Sequence, residues 1–158
     1  MHFDIYASEI ADLEALGSSV VRPAGDERAW TVMADPEGGE YCAFLRAELP
    51  TERMHGLVVD AADPRALARW WADIFDATVV DDDRGLSTVT DVAGMPIATM
   101  DFVPVPEAKT VKNRIHPDVT VRDPQHLLNA GATLLRAQGD DINWHVMADP
   151  EGNDFCAF

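Results

Sequence analysis

The feature that most constrains this 158-residue chain is a long internal repeat. Residues 2–44 align with residues 116–158 at a constant offset of 114 positions and without a gap. About two aligned positions in five are identical, and the longest identical segment, VMADPEG, occurs at residues 32–38 and again at residues 146–152. Unrelated sequences do not keep such a register, so the chain contains a duplicated structural unit.

Each copy of the repeat predicts a strand, a helix and then three strands. In the second copy, the alternating residues 115–121 are typical of a strand. Asp123 is an N-cap residue, Pro124 suits the first helical position and Gly131 suits the end of the helix. An Asp-Pro-Glu-Gly segment near the end predicts a type I turn between two strands. The last three strands are predicted near residues 133–136, 143–148 and 154–158.

The middle of the chain shows the same order of elements without the same sequence. Asp63 and Pro64 predict the start of an amphipathic helix that runs through about residue 76. Strands are predicted at residues 55–60, 78–80, 86–90 and 97–102. The fold class is therefore α+β, built from tandem βαβββ units. We name them unit one (residues 1–46), unit two (54–103) and unit three (114–158), with linkers at 47–53 and 104–113.

The composition limits the partners and the compartment. Acidic residues outnumber basic residues 28 to 12 and the formal net charge is −16, so we expect neither a nucleic acid nor a membrane partner. The apolar runs are far shorter than the roughly 20 residues that span a bilayer, and Met1 does not lead into a signal-peptide core. We therefore expect a cytoplasmic protein whose two cysteines, Cys42 and Cys156, are reduced.

Three segments carry a resemblance to a known superfamily. The first is Ala62-Asp63-Pro64 with the Trp70-Trp71 pair that follows, the second covers residues 105–116 and the third covers residues 149–158. In addition, a His opens the first strand of each unit, at positions 2, 55 and 116. These features resemble the glyoxalase-like branch of the vicinal oxygen chelate superfamily, which contains glyoxalase I, extradiol dioxygenases and bleomycin resistance proteins. The resemblance covers most of units two and three.

The resemblance implies that βαβββ units lie in pairs and that their curved mixed sheets line a cleft. It predicts that residues 54–158 form a complete glyoxalase-like domain and that residues 1–46 form a half-domain. An unpaired sheet exposes an apolar face and an open edge, so we expect a homodimer through unit one. Because Met1 aligns with Ile115, we also expect either that a four-unit ancestor lost its first unit or that the start codon is placed too late.

The resemblance also implies where a metal would bind. Relatives that hold a metal use a His from the first strand and a carboxylate, usually Glu, from the fourth strand of each unit. Carried over to this sequence, those positions are His55, Met100, His116 and Cys156. A thioether and a thiol do not suit Mg²⁺ or Mn²⁺, whereas His55, His116 and Cys156 suit Zn²⁺ with an open fourth position. We therefore expect either no cofactor or a divalent metal, with zinc the most suitable ion.

A cleft for a small-molecule ligand is predicted between units two and three, lined by His55, Met100, His116, Asp118 and Cys156. Alternation puts His116 and Asp118 on one strand face, so Asp118 would orient the imidazole or act as a base. His116 and Asp118 are therefore the catalytic candidates. The alternatives are structural, with His116 hydrogen-bonded in a packed interior and both cysteines buried as small core residues without a reactive thiolate.

Two other features receive structural interpretations. Trp30 and Trp144 precede the hairpin turns, and we expect them to fill the space between sheet and helix. The acidic run at residues 81–83 lacks ligands at calcium-loop spacing, and we expect it to be a solvated loop.

Three classes of function remain open. We predict a metal-free protein that binds a small molecule in its cleft, because both usual metal-binding carboxylates are replaced. The alternative is a zinc-dependent lyase, isomerase or dioxygenase that acts on a small oxygenated substrate, with a metal that polarises an oxygen and a base that moves a proton. The third class is a protein whose cleft has lost its chemistry and serves assembly.

Overall fold

A computed structural model describes residues 1–26, 28–107 and 109–158. Ala108, which belongs to the second segment of the resemblance, lies outside the described residues. The three βαβββ units are present in the predicted order, and the α+β fold class is confirmed. Among the described residues, no helix has both the length and the apolar character needed to cross a membrane.

The elements are numbered in chain order. Unit one consists of β1 (His2–Ala7), α1 (Ile10–Ala15), β2 (Ser19–Arg22), β3 (Thr31–Ala34) and β4 (Glu40–Leu45). Unit two consists of β5 (Met54–Ala61), α2 (Pro64–Phe75), β6 (Thr78–Asp81), β7 (Ser87–Thr90) and β8 (Thr99–Pro104). Unit three consists of β9 (Asp118–Val119), α3 (Pro124–Asn129), β10 (Thr133–Arg136), β11 (His145–Ala148) and β12 (Asp154–Ala157).

The helices of units two and three begin where the sequence predicts. The side chain of Asp63 accepts a hydrogen bond from the Ala66 N–H, and that of Asp123 accepts one from the Gln125 N–H. Each cap is followed by a proline in the first turn, where a missing N–H leaves no hydrogen bond unmade. Helix α2 ends at Asp76, which closes it in a left-handed conformation with φ of 53°.

Units one and two share a single eight-stranded sheet. Its strand order is β2-β3-β4-β1-β5-β8-β7-β6. At its centre β1 and β5 run antiparallel, with His2 opposite Val58 and Asp4 opposite Gly56. Unit three forms a separate four-stranded sheet of order β10-β11-β12-β9, so β9 lies at an edge whereas its counterpart β1 lies at the centre of a sheet.

This topology corrects the expected arrangement of the sheets. We predicted that the sheets of units two and three pair and that unit one is left unpaired, but β5 covers the edge of β1. The reason for a dimer through unit one therefore disappears. Each unit offers a similar first strand, so the sequence does not say which two meet. Among the first strands of the three units, β9 is the one at a sheet edge, and it is shorter than the predicted strand at residues 115–121.

Unit two also shares a hydrophobic core with unit three. The core combines the helix-bearing faces of both units, with Leu67 and Trp71 from unit two and Leu127 and Phe155 from unit three. Trp71 is 1% exposed, and its ring lies 5.1 Å from that of Phe155 in an edge-on arrangement. Unit one has a smaller core of its own under α1. Unit two is therefore joined to one neighbour by hydrogen bonds of the sheet and to the other by apolar packing.

The two tryptophans before the hairpin turns do not fill the space between sheet and helix. Trp30 lies on Phe44 with ring centroids 5.6 Å apart, and Trp144 lies on Phe158 at 5.5 Å. Trp30 lines a cavity on the side of the sheet that carries no helix. Each tryptophan therefore packs on a phenylalanine of the same sheet face, as cross-strand aromatic pairs do.

The acidic run begins with Asp81, the last residue of β6, so only Asp82 and Asp83 lie in the predicted loop. Asp81 pairs with Arg69 at 2.8 Å, and Asp82 pairs with Arg84 at 2.9 Å. These contacts satisfy both carboxylates at the protein surface, as expected for a solvated segment.

The repeated turn of unit three fastens that unit to unit two. Asp149 is 2% exposed, and its carboxylate accepts hydrogen bonds from the backbone N–H groups of Glu151 and Asn153 and from the indole N–H of Trp71. The carboxylate of Glu151 accepts two backbone N–H groups just before α2, at 2.7 and 2.8 Å. Burial raises the pKa of Asp149, and the hydrogen bonds that it accepts oppose this rise.

We expect the substitution Asp149→Ala to lower the free energy of unfolding by about 2–4 kcal/mol, because it removes charge-assisted hydrogen bonds and leaves the buried indole N–H of Trp71 without an acceptor. The control is Asp35→Ala in unit one, where the same turn is half-buried and the carboxylate pairs with the exposed Arg114 in place of a buried indole. That change should lower the free energy of unfolding by about 1 kcal/mol. Urea denaturation followed by tryptophan fluorescence measures both values. Equal losses would show that Asp149 acts only within its own turn.

Candidate functional site

The face of the eight-stranded sheet that carries no helix forms a cleft. Side chains alternate along a strand, so Ala7 and Val59 point to the helices while His2, Asp4 and Val58 point to the opposite face. A cavity of about 530 Å³ lies on this opposite face and is lined by both units. This size is typical of a site for a small molecule.

Three side chains of unit one meet at the buried floor of the cleft. The parallel register of β1 and β4 places Asp4 beside Cys42, and His2 lies two residues earlier on the same face. The Nε2 atom of His2 lies 3.3 Å from the Sγ atom of Cys42 and 3.6 Å from the Oδ1 atom of Asp4. One ligand atom of each residue lies within 4.8 Å of the others. We call His2, Asp4 and Cys42 the buried triad.

Unit three repeats this arrangement with His116, Asp118 and Cys156. The register of β9 and β12 again places the Asp beside the Cys, and the Nε2 atom of His116 lies 3.3 Å from the Oδ1 atom of Asp118. The sequence analysis singled out these residues, and the structure brings them within 4.8 Å of one another. We call them the exposed triad, because the side chain of His116 is 41% exposed and that of Asp118 is 61% exposed.

The other two predicted cleft residues lie elsewhere. His55 sits where the register of β5 against β1 shifts, and this bulge turns its ring toward unit one. Its Nδ1 atom lies 2.9 Å from the phenol oxygen of Tyr6, so it joins neither triad. Met100 is 2% exposed and packs in the core on the helix-bearing face. It lines, together with His116 and Asp118, a second cavity of about 430 Å³ between units two and three, so three of the five predicted cleft residues share a cavity there.

The cleft position on the fourth strand of unit two is held by Asp101 and not by Met100. Asp101 lies opposite Val58 in the β5–β8 ladder, as Cys42 lies opposite Asp4 in the β4–β1 ladder. Successive side chains on a strand point to opposite faces, so a shift of one position moves the predicted residue from the cleft to the core. The carboxylate of Asp101 accepts hydrogen bonds from the hydroxyl groups of Thr88 and Thr99, both at 2.7 Å.

Gly56 occupies the first-strand position of unit two that faces the cleft. In the β1–β5 ladder, His2 lies opposite Val58 and Asp4 lies opposite Gly56. A two-fold axis through the centre of the ladder exchanges the two strands, and it places Gly56 at the position equivalent to His2. A Cβ atom at Gly56 would lie 2.7 Å from Oγ1 of Thr99 and 3.0 Å from Oδ2 of Asp101, so no larger side chain fits without displacement. Unit two therefore contributes a hydrogen-bonded carboxylate but no imidazole, and the cleft lacks the symmetric set of four ligands that the resemblance implied.

Burial sets the charges of the buried triad. Desolvation, followed by the negative charge of Asp101, raises the pKa of Asp4 from 3.8 to about 6. Burial, followed by the charge of Asp4, raises the pKa of Cys42 to about 12, and burial lowers the pKa of His2. Near pH 7, Cys42 is therefore a thiol and His2 is neutral. Both cysteines are buried, as the structural interpretation predicted, and burial also raises the pKa of Cys156.

Asp4 has an unsatisfied acceptor. Among the described residues, its Oδ1 atom is the buried side-chain oxygen or nitrogen that has no hydrogen-bond partner. The Nε2 atom of His2 lies 3.6 Å away, beyond the length of a hydrogen bond. Buried polar atoms without a partner are rare, and this one belongs to a residue that lines the cavity.

The remaining cavity wall combines apolar and cationic groups. Three of the 12 basic residues of the chain line it, namely Arg22, Arg28 and Arg84. Arg28 lies close enough to Cys42 to oppose the rise of the thiol pKa. Apolar wall residues include Trp30, Phe44, Val58, Leu86 and Val103. The cleft thus offers Asp4 at its floor, apolar walls, three guanidinium groups and the carboxylates of Glu40 and Asp101.

The buried triad was not predicted from the sequence, although the repeat contains it. The constant offset relates His2 to His116, Asp4 to Asp118 and Cys42 to Cys156. The resemblance covers mainly units two and three, and this directed attention to the second copy. The edge pairing of β1, which decides which copy is enclosed, leaves no signal in the sequence.

Comparison with known proteins identifies the family. The sequence profile of the glyoxalase-like domain matches residues 1–44 and 56–158. A search of the curated proteins finds no match.

Solved structures show the same fold. Glyoxalase I from Zea mays is similar with a TM-score of 0.65 at 14% sequence identity, over 99% of this chain and 66% of that chain. A possible glyoxalase from Bacillus cereus is similar with a TM-score of 0.51 at 14% identity, over 65% of this chain and 95% of that chain. The chain spans about two thirds of the length of the Zea mays enzyme.

At these identities the structural similarity shows the fold and not the chemistry. The match of the sequence profile, in contrast, covers most of all three units. The resemblance seen in the sequence is confirmed, and the chain belongs to the family of glyoxalase-like domain proteins within the vicinal oxygen chelate superfamily.

Proposed function

We propose that the cleft between units one and two binds a small organic molecule and that Asp4 holds this ligand by accepting a hydrogen bond from it. The observation that carries the proposal is Asp4 itself, which lines a cavity of about 530 Å³ and whose buried Oδ1 atom has no hydrogen-bond partner. A buried acceptor without a partner costs about 1–3 kcal/mol, and a ligand hydroxyl or ammonium group would offset that cost.

The cavity wall narrows the class of ligand. Trp30 and Phe44 suit a flat apolar body, because aromatic side chains bury large areas and stack on rings. Arg22 and Arg28 suit a carboxylate or another small anion, which a guanidinium group binds through paired hydrogen bonds. The ligand that fits best is an aromatic or aliphatic molecule with a hydrogen-bond donor at one end and an anionic group at the other.

The zinc alternative has one specific observation in its favour. In a tetrahedral site with Zn–N near 2.0 Å and Zn–S near 2.3 Å, the nitrogen and sulfur ligands are about 3.6 Å apart. The corresponding distance from His2 to Cys42 is 3.3 Å, and a carboxylate oxygen of Asp4 completes a set of three ligand atoms within 4.8 Å. The donor types of the buried triad therefore fit zinc.

Zinc at this position would polarise a substrate oxygen as a Lewis acid. It would also require the thiolate form of Cys42, whose pKa of about 12 reflects the burial of the thiol beside Asp4.

The titration of Asp4 gives a test of its environment. The carboxyl has a pKa near 6 in the folded chain and an ordinary value near 4 when unfolded, so the folded state binds the extra proton between these values. The contribution of Asp4 to the free energy of unfolding is fully present below about pH 4, and it is lost as the pH rises to about 6. We expect Asp4→Asn to raise the free energy of unfolding by about 1–3 kcal/mol near pH 7.5 and to change it little near pH 4.

The control for this prediction is Asp118→Asn in the exposed triad. Its side chain is 61% exposed, so the substitution should change the free energy of unfolding by less than about 0.5 kcal/mol at either pH. Urea denaturation at the two pH values measures all four differences. A gain of equal size at both pH values would mean that the effect of Asp4→Asn is not a titration.

Ligand binding is tested with para-hydroxybenzoate, which carries a hydroxyl donor, a ring and a carboxylate. At millimolar concentration we expect it to raise the midpoint of thermal unfolding by about 2–4 °C, and more than benzoate or para-hydroxybenzamide, each of which lacks one of the two polar groups. The advantage over benzoate should disappear in Asp4→Ala. If benzoate and the amide stabilise the chain equally well, the two polar contacts do not define the ligand.

The zinc alternative is tested by titration of the chelator-treated protein with Co²⁺, an ion that reports its ligands by absorption. Binding by the buried triad should produce a thiolate-to-cobalt absorption that Cys42→Ser abolishes and Cys156→Ser retains. Binding of para-hydroxybenzoate by chelator-treated protein that shows no such absorption would leave the metal-free proposal standing and remove the zinc alternative.

A further inference from the structure

The cleft of units one and two continues beyond the cavity that Asp4 lines. A further cavity, of about 740 Å³, shares Arg22 and Glu40 with the cavity of about 530 Å³. The two cavities are therefore neighbours, and these two side chains lie at the boundary between them. We call the cavity that Asp4 lines the inner cavity and its neighbour the outer cavity.

Two strands of the eight-stranded sheet lead from the inner cavity to the outer one. On β5, Val58 lines the inner cavity and Asp60 lines the outer one. At the end of β8, Val103 lines the inner cavity and Val105 lines the outer one. Side chains two positions apart on a strand share a face, and such a step covers about 7 Å. The outer cavity thus extends the cleft along the same sheet face.

The linker at residues 104–113 forms the far wall of the outer cavity. Six of its described residues line this cavity. At its end, the side-chain amide of Asn113 donates a hydrogen bond to Oδ1 of Asn153 at 2.8 Å. Asn153 is 3% exposed, and its own amide donates to the buried carboxylate of Asp149 at 2.9 Å. The wall is therefore fastened to the buried turn of unit three.

The two copies of the repeated turn differ at the residue that holds the linker. Asn153 of unit three corresponds to Gly39 of unit one at the constant offset. The guanidinium group of Arg114 lies over Gly39 and donates two hydrogen bonds to the carboxylate of Asp35, each at 2.8 Å. The turn of unit one thus holds residue 114, and the turn of unit three holds residue 113. Both turns fix the end of the linker beside the cleft.

The lining of the outer cavity differs in chemistry from that of the inner cavity. The inner cavity is lined by the rings of Trp30 and Phe44, whereas the described lining of the outer cavity contains no aromatic ring. It contains carboxylates, carboxamides, a hydroxyl and two cationic groups. The charged lining residues are Arg22, Glu40, Asp60, Glu107, Lys109 and Glu151.

The charges of the outer cavity nearly balance. Glu151 accepts two backbone N–H groups before α2, so its carboxylate is already satisfied. Three other carboxylates then face the cationic groups of Arg22 and Lys109. An anion or a cation would gain from one set of charges and lose to the other. A neutral group with several hydroxyls finds partners in both sets, because each hydroxyl donates one hydrogen bond and accepts up to two.

We propose that the outer cavity binds a neutral polyhydroxylated group, such as a sugar ring, attached to the aromatic body that the inner cavity holds. The ligand class is then an aromatic glycoside. The inference rests on the proposed function, since Asp4 and the aromatic wall bind the ring. An extension of about 7 Å admits one sugar ring. An acidic group of the ligand would lie at the junction of the two cavities, beside Arg22.

The first test compares arbutin, a phenol with a glucosyl group para to its hydroxyl, with hydroquinone, which lacks the sugar. Each hydrogen bond gained on binding is worth about two- to tenfold in affinity. Because the sugar has several hydroxyls, we expect arbutin to bind about tenfold more tightly than hydroquinone in isothermal titration calorimetry. Equal affinities for the two compounds overturn the inference.

The second test locates the sugar with the two lysines of the chain. Lys109 lines the outer cavity, whereas Lys112 pairs with Asp154 at 3.2 Å. We expect Lys109→Met to weaken arbutin binding about fivefold and to leave hydroquinone binding unchanged, because one donor to the sugar is lost. Lys109→Arg, which keeps a cationic donor, should retain most of the affinity. The matched control Lys112→Met should change neither ligand.

The outcomes separate this inference from the proposed function. If para-hydroxybenzoate stabilises the chain but arbutin binds no more tightly than hydroquinone, the proposed function stands and the glycoside inference is overturned. If phenyl glucoside, which lacks the phenol hydroxyl, binds as tightly as arbutin, the sugar site stands and the proposed contact of Asp4 fails. If Lys112→Met weakens arbutin binding as much as Lys109→Met, the sugar does not lie in the outer cavity.

Discussion

The antiparallel pairing of β1 with β5 is the interaction on which the rest of the structure depends. It joins two βαβββ units into one eight-stranded sheet whose helix-free face is a cleft. It also encloses Asp4 and Cys42, which are 9% and 6% exposed. The helix-bearing face of unit two is left free to pack on unit three, where Trp71 and the Asp149 turn complete the contact. One strand ladder thus positions both the candidate site and the third unit.

The duplicated triads show that environment and not residue type decides the chemistry. The side chains of His2 and Asp4 are 24% and 13% exposed, whereas those of His116 and Asp118 are 41% and 61% exposed. Burial beside Asp101 raises the pKa of Asp4 to about 6 and leaves one of its oxygen atoms without a partner. The same residues in unit three face water, which satisfies a carboxylate without any ligand. A ligand therefore gains more from the enclosed triad.

Local signals were read correctly from the sequence wherever the cause lies within a few residues. The N-caps at Asp63 and Asp123 and the Asp-Pro-Glu-Gly turn depend on contacts between near neighbours, so the pattern predicts them. The predictions of the cleft residues were wrong where a shift of one position or the choice of partner strand decides which face a side chain occupies. Met100 and Asp101 are adjacent but face opposite sides of the sheet, and a bulge that turns His55 toward Tyr6 has no signature in its own sequence.

The sequence by itself determined three βαβββ units, their boundaries, the family and one complete set of His, Asp and Cys in the repeat, because these depend on periodicity, capping and identity at a constant offset. Only the tertiary structure decided that the copy in unit one is enclosed, that Gly56 and Asp101 face it, and that the edge of β9 is open. All three units offer similar edge strands, so the choice between them rests on long-range packing of the apolar faces, which no local pattern records.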